Sequence, residues 1–394
     1  MNYDFDKVID RTNTNSLKYD FAVERGRPAD VLPLWVADMD FSAPQPVLDA
    51  LQKAVAHGIF GYSDVKTPYY QAVAGWFERH FGWRLEESWL IKTPGVVCAL
   101  ALAVRAYTKP GDAVLIQSPV YYPFYSVVQD NDRKLVASEL LYKDGRYSID
   151  LADFEAKIRE NQVKMVILCS PHNPTGRVWT RQELEGVAEI CLRHNIFMLV
   201  DEIHCDFVPP EHPHTTFGLL GEEVLRHSMV CYSSNKGFNL GGLGMATLVL
   251  ADDDLRCKFN EEMSIAQTRL DNIFGMAALI AAYNDGEEWL DQAIAYVSDN
   301  KAYLDQFLRE RIPQIRMIPS EGTYLVWLDC SQLPYRGMAL EHFMINEAKV
   351  AFCAGYEFGE QGEAFLRMNV ACPRCTLTKA LEQMEKAING LSLQ

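Results

Sequence analysis

The chain has 394 residues, with 37 basic and 53 acidic side chains and a formal net charge of −16. This acidic balance argues against nucleic acid or an anionic membrane as the main partner, because both require a basic surface. Apolar residues make up 48% of the chain, which excludes the disordered and fibrous classes. The longest apolar run, residues 96–104, is far shorter than the roughly 20 residues of a membrane span. The N-terminus has no basic or apolar leader pattern, so we expect a cytoplasmic protein.

The ten cysteines do not indicate a disulfide framework. Cys98, Cys169, Cys191 and Cys231 lie inside apolar runs, as small buried side chains do in reduced proteins. The only Cys-x-x-Cys, residues 372–375, has no second pair at zinc spacing, and we favour a structural role for it. The proline-rich cluster of residues 211–214 is predicted to be an exposed loop rather than a metal site. We therefore expect no metal.

The first two-thirds of the chain alternates apolar strands with helical patterns. A helix that is apolar nearly all round is predicted over 98–107, and a second over 180–194, where Thr180 and Glu183 form a capping box. Strands are predicted at 113–117, 164–169, 196–200, 229–232 and 246–250. Strands separated by helices imply a mostly parallel sheet. In such sheets ligands bind beyond the carboxyl ends of the strands.

The pattern changes after residue 285. A helix with one apolar face is predicted over 286–311, a strand over 323–328 and a terminal helix over 377–388. We expect an α/β protein with a large domain at 46–285 and a smaller α/β domain built from both chain ends. Residues 1–45 would form an arm and part of the small domain, and residues 286–394 the rest of it.

Four segments at strand ends carry candidate chemistry. Gly95 and Val96 open the buried helix, whose free amides can bind a phosphate, although a Pro-Gly turn is usually only a turn. Asn173 lies in a rigid Pro-His-Asn-Pro-Thr-Gly turn, where a plain Asx turn is equally reasonable. Asp201 ends an apolar strand and, unless water solvates it, needs a partner such as a cation, a ring N–H or a helix N-terminus. Lys236 precedes a glycine-rich loop, where desolvation makes a lysine nucleophilic, but most lysines lie on the surface.

The order of these segments is more specific than any one of them. Asn173 and Asp201 are 28 residues apart, and Asp201 and Lys236 are 35 apart. With this order the sequence resembles the fold-type I pyridoxal-phosphate (PLP) enzymes of the aspartate aminotransferase superfamily. Within it, the sequence is similar to the MalY/PatB group of cystathionine β-lyases. That likeness rests on residues 35–41 (Trp-Val-Ala-Asp-Met-Asp-Phe), 118–124, 171–179, 201–204 and 236–240.

The resemblance implies PLP as cofactor and a role for each matching residue. Lys236 would hold the cofactor aldehyde and serve as general base. Asp201 would pair with the pyridine nitrogen, and Asn173 would bind the phenolic oxygen. The remaining cofactor contacts would come from Tyr121 stacked on the ring, from His204, and, at the phosphate, from Gly95, Val96, Ser233 and Tyr62 of the partner subunit.

Two further matches concern the substrate and the assembly. Arg367 corresponds to the arginine that binds the substrate carboxylate in this family, although alone it would be assigned to a surface ion pair. Ala37 would also contact the substrate. Because the partner's Tyr62 completes the site, the resemblance implies a homodimer with a shared active site.

The reaction implied is β-elimination, which releases a thiol, pyruvate and ammonia from cystathionine or another cysteine S-conjugate. The alternatives are a class I/II aminotransferase and a PLP-bound regulatory protein with residual lyase activity. Aminotransferases of this superfamily usually carry a phosphate-binding arginine eight residues after the lysine, and here that position is Gly244. The departure favours the lyase branch and leaves the phosphate with less positive charge.

Overall fold

The fold is described from a computed structural model that covers residues 2–268 and 272–391. The helices are α1 Gln45–His57, α2 Thr67–Phe81, α3 Val96–Tyr107, α4 Pro123–Gln129, α5 Leu151–Asn161, α6 Arg181–Arg193, α7 Glu222–Arg226, α8 Ser234–Gly237, α9 Asp253–Ile265, α10 Ile273–Asp285, α11 Glu287–Arg311, α12 Gly337–Asn346 and α13 Arg374–Leu391. The strands are β1 Leu32–Pro33, β2 Leu90–Thr93, β3 Ala113–Ser118, β4 Lys134–Glu139, β5 Leu141–Lys143, β6 Arg146–Ser148, β7 Met165–Cys169, β8 Phe197–Asp201, β9 Ser228–Tyr232, β10 Ala246–Val249, β11 Arg316–Met317, β12 Leu325–Asp329, β13 Val350–Ala351, β14 Cys353–Ala354 and β15 Phe365–Asn369.

The apolar runs of the first two-thirds of the chain form one seven-stranded sheet, called here the large sheet. Its order is β2-β10-β9-β8-β7-β3-β4. Strands β9, β8, β7, β3 and β4 are parallel, and β10 is antiparallel to both of its neighbours. The five predicted strands match β3, β7, β8, β9 and β10 within one residue at each end. The prediction of a mostly parallel α/β sheet is confirmed.

Helices cover both faces of the large sheet, because its central strands are apolar on both sides. In β3, Leu115 packs into one apolar cluster, whereas Val114 and Ile116 pack into another. The second cluster contains the buried face of α3, which explains why that helix is apolar nearly all round. Helix α6 begins at the predicted capping box, with the Thr180 hydroxyl and the Glu183 carboxylate bonded to each other's backbone amides.

A second, antiparallel sheet has the order β11-β12-β15-β14 and is called here the small sheet. The long helix α11 leads into it, as the pattern over 286–311 predicts. Strand β1, from the first 45 residues, pairs in parallel with β13. The domain boundaries at 45/46 and 285/286 stay predictions. Within the described ranges, no helix is both long and apolar enough to cross a membrane.

Candidate active site

A cavity of about 300 Å³ lies at the carboxyl ends of the central strands of the large sheet. Eight of the eleven predicted site residues line it: Ala37, Gly95, Val96, Tyr121, Asn173, Asp201, His204 and Lys236. The large sheet brings all of them except Ala37 together, because each ends or follows a parallel strand and parallel strands end at the same edge. Ser233, Arg367 and Tyr62 lie outside this lining and are described below.

Lys236 lies in the short helix α8, directly after β9. Its Nζ donates a hydrogen bond to the carbonyl oxygen of Ala37, 2.6 Å away. Burial lowers the pKa of Lys236 to about 8, and the nearby charge of Arg367 acts in the same direction. The amine is therefore much closer to its neutral, nucleophilic form at neutral pH than an ordinary lysine is.

Asp201 is the last residue of β8 and is 3% exposed. Its Oδ1 accepts a hydrogen bond from the backbone N–H of Ile203 at 3.0 Å. Burial raises the pKa of Asp201 to about 7, while the Ile203 bond and Lys236 act against that rise. A cationic ring N–H would stabilise such a carboxyl group as an anion, and this is the partner that the family resemblance implies for it.

Asn173 connects the cavity to the small sheet. Its backbone carbonyl accepts the N–H of Tyr121 at 3.1 Å, and its side-chain Oδ1 accepts the Nη1 of Arg367 at 3.0 Å. The turn that carries it closes on Gly176, which has a φ of +71°. A Cβ at Gly176 would lie 2.6 Å from the Ser320 hydroxyl and 3.1 Å from the Ser320 Cα. Both the backbone angle and the close approach therefore require glycine.

Arg367 lies in the middle of β15 and is 2% exposed. Besides Asn173, its guanidinium donates to the Trp35 carbonyl at 2.9 Å and to the Cys353 sulfur at 3.0 Å. All of these acceptors are uncharged, and Nε has no partner within the described residues. A buried guanidinium without a carboxylate is suited to bind an incoming anion. The contacts with Trp35 and Cys353 could not be predicted from the sequence.

The amino end of α3 forms part of the cavity wall. Gly95 caps this helix in an extended conformation, and Cys98 in its first turn also lines the cavity. Asn235 lines the cavity too, and its Oδ1 has no partner within the described part of the chain. Free backbone amides together with the positive end of a helix dipole can hold a phosphate.

Two positions near this wall qualify the predicted phosphate site. The Ser233 hydroxyl donates to the Met245 carbonyl at 2.6 Å and accepts the Asn235 N–H at 3.1 Å. These bonds compete with the phosphate role predicted for Ser233, which stays a prediction. Gly244 has a φ of +55°, and a Cβ there would lie 3.2 Å from the Pro94 carbonyl. An arginine side chain is thus disfavoured at this position by the backbone itself.

His204 is buried on the cavity wall, and its Nδ1 has no partner within the described residues. Burial holds the pKa of His204 well below its usual value, and the charges of Lys236 and Arg367 add to this. The ring is therefore neutral at neutral pH and can offer one hydrogen bond. Next to it lies Tyr324, which the sequence reasoning missed and whose hydroxyl donates to the Ala37 carbonyl at 3.0 Å.

Residues 35–41, called here the strap, contribute Ala37 to the cavity lining. Ion pairs that the sequence does not predict hold this segment. Lys18 is fully buried, and its Nζ lies 2.9 Å from Asp40 Oδ2. Arg11 pairs with Asp38 at 2.6 Å and with Asp40 at 2.8 Å. These contacts fix the strap, and hence the Ala37 carbonyl that receives Lys236. No sequence spacing predicts them, since the residues lie in irregular segments.

Tyr62 lies between α1 and α2 and is 96% exposed. Its neighbours Ile59 and Phe60 are also more than half exposed. It does not line the cavity of its own chain. A run of exposed apolar side chains is typical of an interface.

The 211–214 cluster differs in part from its prediction as an exposed loop. The side chain of His214 is 1% exposed and lies 3.1 Å from the fully buried carboxylate of Glu202. The polar loop sequence does not predict this contact, because only the fold brings Glu202 beneath His214. Within residues 2–268 and 272–391, no group of three or more His, Cys, Asp or Glu side chains is arranged to hold a metal ion.

The chain is similar to known proteins in both sequence and fold. The family model described as aminotransferase class I and II matches residues 29–384. The chain is 38% identical to the cystathionine β-lyase PatB of Bacillus subtilis, over 98% of this chain and 100% of PatB. It superposes on PLP-containing cystalysin from Treponema denticola with a TM-score of 0.96 and 35% identity, covering 99% and 100% of the two chains. For the PLP-bound C–S lyase of Staphylococcus hominis, the TM-score is 0.90, the identity 30% and the coverage 98% of both chains.

Proposed function

Since the chain belongs to the aminotransferase class I and II family, we propose that it is a PLP-dependent carbon–sulfur β-lyase. By β-elimination followed by hydrolysis with water, it cleaves cystathionine or a related cysteine S-conjugate to a thiol, pyruvate and ammonia. The observation that carries this function is the joint placement of Lys236, Asp201 and Asn173 in one cavity beside a buried arginine without a carboxylate partner. The likeness to PatB and to two C–S lyases supports the lyase reaction over the other reactions of the family.

The residues present fit PLP. Asp201 presents a buried carboxylate for the pyridine nitrogen, and Lys236 presents an amine of lowered pKa for the aldehyde. Asn173 and His204, whose Nδ1 has no partner among the described residues, both line the cavity and suit the phenolic oxygen. The amides at the amino end of α3 suit the phosphate. When bound, PLP supplies an electron-withdrawing ring that stabilises negative charge at the substrate Cα.

Each of these side chains has a defined task during turnover. Lys236 takes the proton from Cα, and its lowered pKa suits a base that works near neutral pH. Asp201 would keep the ring nitrogen protonated. Tyr121, on the cavity wall, would pack against the ring face and exclude water from it. A thiolate then leaves from Cβ, and sulfur is a good leaving group for this step.

Arg367 binds the substrate carboxylate. Its planar guanidinium can form two parallel hydrogen bonds with a carboxylate, and its present acceptors are neutral groups that an anion displaces. Because the Ala37 carbonyl lies at Lys236 Nζ, the strap places its backbone near the substrate amino group. Arg367 and the strap thus orient the Cα–H bond towards Lys236.

The test is the release of pyruvate and thiol from cystathionine by the purified, PLP-saturated protein without any keto-acid acceptor. The lyase proposal expects both products in equal amounts. If pyruvate forms only when a keto acid is added, the protein is an aminotransferase instead. Lys236→Ala is the matched control, since it should abolish both the turnover and the absorbance band of the lysine-bound cofactor.

We infer that the active form is a homodimer in which Tyr62 of the partner subunit reaches the phosphate. The extreme exposure of Tyr62, beside the exposed Ile59 and Phe60, supports this assembly. Mixing inactive Lys236→Ala with inactive Tyr62→Ala subunits provides the test. In a shared-site dimer, one of the two sites in a hybrid is intact, and activity returns to about a quarter of the wild-type value if subunits exchange at random. No recovery despite demonstrated subunit exchange would contradict a shared site.

A further inference from the structure

The Asn173 turn is connected to the small sheet by a buried ion pair that the proposed chemistry does not use. Arg177 follows the turn, is 2% exposed and donates from Nε to Glu321 Oε2 at 2.8 Å. Glu321 lies in the segment just before β12, a strand of the small sheet. The same Oε2 also accepts the backbone N–H of Val178 at 3.0 Å. One carboxylate therefore holds both the side chain and the backbone that follow the turn.

Backbone contacts reinforce this connection. The carbonyl of Gly176 accepts the N–H groups of Glu321 and Gly322 at 2.8 and 2.9 Å. A Cβ at Gly322 would lie 2.8 Å from the Val178 side chain, so both segments carry a glycine where they meet. From the other side, the buried Nζ of Lys301 faces the carbonyls of Ser320 and Gly322 at 3.5 and 3.3 Å. The segment 320–322 is thus fixed on two sides.

The connection leads directly to the substrate-binding arginine. Strand β12 pairs with β15, and Trp327 lies opposite Arg367 in the register. Arg367 in turn bonds to Asn173, on the other side of the same turn. Any displacement of segment 320–322 relative to the turn therefore changes the separation between Arg367 and the cavity that holds Asn173 and Lys236.

We propose that Glu321 is a positioning residue that fixes Arg367 of the small sheet relative to the Asn173 turn and so sets the affinity for the substrate carboxylate. The proposal rests on the proposed lyase function and adds a residue to it. Glu321 does not touch the substrate. A mutation far from the reacting atoms that misplaces a bound group by about 1 Å can lower the rate about a hundredfold. We therefore expect a moderate loss of substrate affinity when Glu321 is changed.

Arg177 provides an internal control, because it has a second carboxylate partner. Glu183 Oε2 lies 3.0 Å from Arg177 Nη2, but Glu183 belongs to α6, on the same side of the connection as the turn. Glu321→Gln weakens the contact between the Asn173 turn and the segment before β12. Glu183→Gln weakens only a contact between the turn and α6. Both variants remove one negative charge beside Arg177, and both are expected to lower the melting temperature. Glu321→Gln also removes the charge that faces the half-exposed Arg146, whose Nη2 lies 2.9 Å from Glu321 Oε1.

The experiment compares the two variants as PLP-saturated enzymes with cystathionine. We expect Glu321→Gln to raise KM about tenfold with kcat within threefold, and Glu183→Gln to leave KM within twofold of wild type. The dissociation constant of L-alanine, a ligand with the same carboxylate but no leaving group, should rise about tenfold in Glu321→Gln by calorimetry. The absorbance spectrum of the bound cofactor should be unchanged in both variants.

Two results would overturn the proposal: a KM in Glu321→Gln within twofold of wild type, or equal increases in both variants. If Glu321→Gln does not fold, Glu321→Asp keeps the charge but shortens the side chain, and it should raise KM and the L-alanine dissociation constant severalfold. An unchanged KM in a folded Glu321→Asp would also refute the role. Absence of pyruvate from the wild-type enzyme would instead refute the lyase function, while the L-alanine measurement would still test the connection.

Discussion

Asp201 offers a test in which catalysis and stability change in opposite directions. Replacing it with asparagine keeps the oxygen that accepts the Ile203 N–H but removes the charge. In the PLP-loaded enzyme we expect kcat to fall by a hundredfold or more, because the ring nitrogen loses its anionic partner. In the cofactor-free protein we expect the opposite sign, a gain in stability, since the variant no longer buries a carboxylate.

The size of this gain follows from the pKa. Burial raises the pKa of Asp201 from 3.8 to about 7, and each pH unit of that difference corresponds to about 1.4 kcal/mol. Ionising the carboxyl in the folded, cofactor-free protein therefore costs roughly 4 kcal/mol relative to the unfolded chain. The attraction to Lys236 is already contained in this pKa, so the expected gain at pH 8 is about 4 kcal/mol. For a chain of this length that is a rise in Tm of about 5 °C.

The stability gain of Asp201→Asn depends on pH. Between about pH 4 and pH 7 the folded wild-type carboxyl binds more protons than the unfolded one, so wild-type stability falls as the pH rises through that window. The Asp201→Asn protein lacks this loss. The Tm difference should thus be smallest at pH 4.5, at about a quarter of its full size, and reach its full size above pH 7.

Differential scanning fluorimetry of the cofactor-free proteins across pH 4.5–8.5 measures this difference. Asp299→Asn, at an exposed position of α11, is the control and should show no such trend. A Tm of Asp201→Asn that is lower than wild type at pH 8, or a difference that does not vary with pH, would refute the reasoning.

Three further substitutions test other parts of the site. Arg367→Met should lower kcat/KM for cystathionine by about a hundredfold, mainly through KM, and an unchanged KM in steady-state assays would remove Arg367 from carboxylate binding. Gly176→Ala should lower the free energy of unfolding by about 2–3 kcal/mol, measured by chemical denaturation, and should also lower activity, because its Cβ collides with Ser320. A decrease below about 0.5 kcal/mol would contradict the observed close approach. Asp40→Asn should cost about 3 kcal/mol by leaving the buried Lys18 ammonium without its near carboxylate, and a neutral result would show that Arg11 and Asp38 suffice to hold the strap.

The local physics of the sequence determined much of the fold. Buried strands such as β7 and β8 follow from continuous apolar runs, which favour a parallel sheet covered on both faces. The start of α6 follows from the Thr180–Glu183 capping box, a contact over three residues. Since parallel strands end at one edge, the same patterns also predicted that Asn173, Asp201 and Lys236 would lie together.

Long-range contacts between irregular segments were decided only by the tertiary structure. The ion pairs of Lys18 with Asp40 and of Arg177 with Glu321 join residues 22 and 144 positions apart, and no periodicity connects them. The burial of His214 against Glu202 is of the same kind.

The charged groups likewise have properties that the sequence determines and others that only the fold determines. The sequence established a net charge of −16 and the presence of Lys236 and Arg367. Only the fold shows that both cations are buried near one cavity, with a lysine pKa lowered to about 8 and an arginine bonded to neutral acceptors. The reason is physical: a pattern in sequence encodes which face of an element is apolar, whereas desolvation and charge pairing depend on what the finished fold packs around each group.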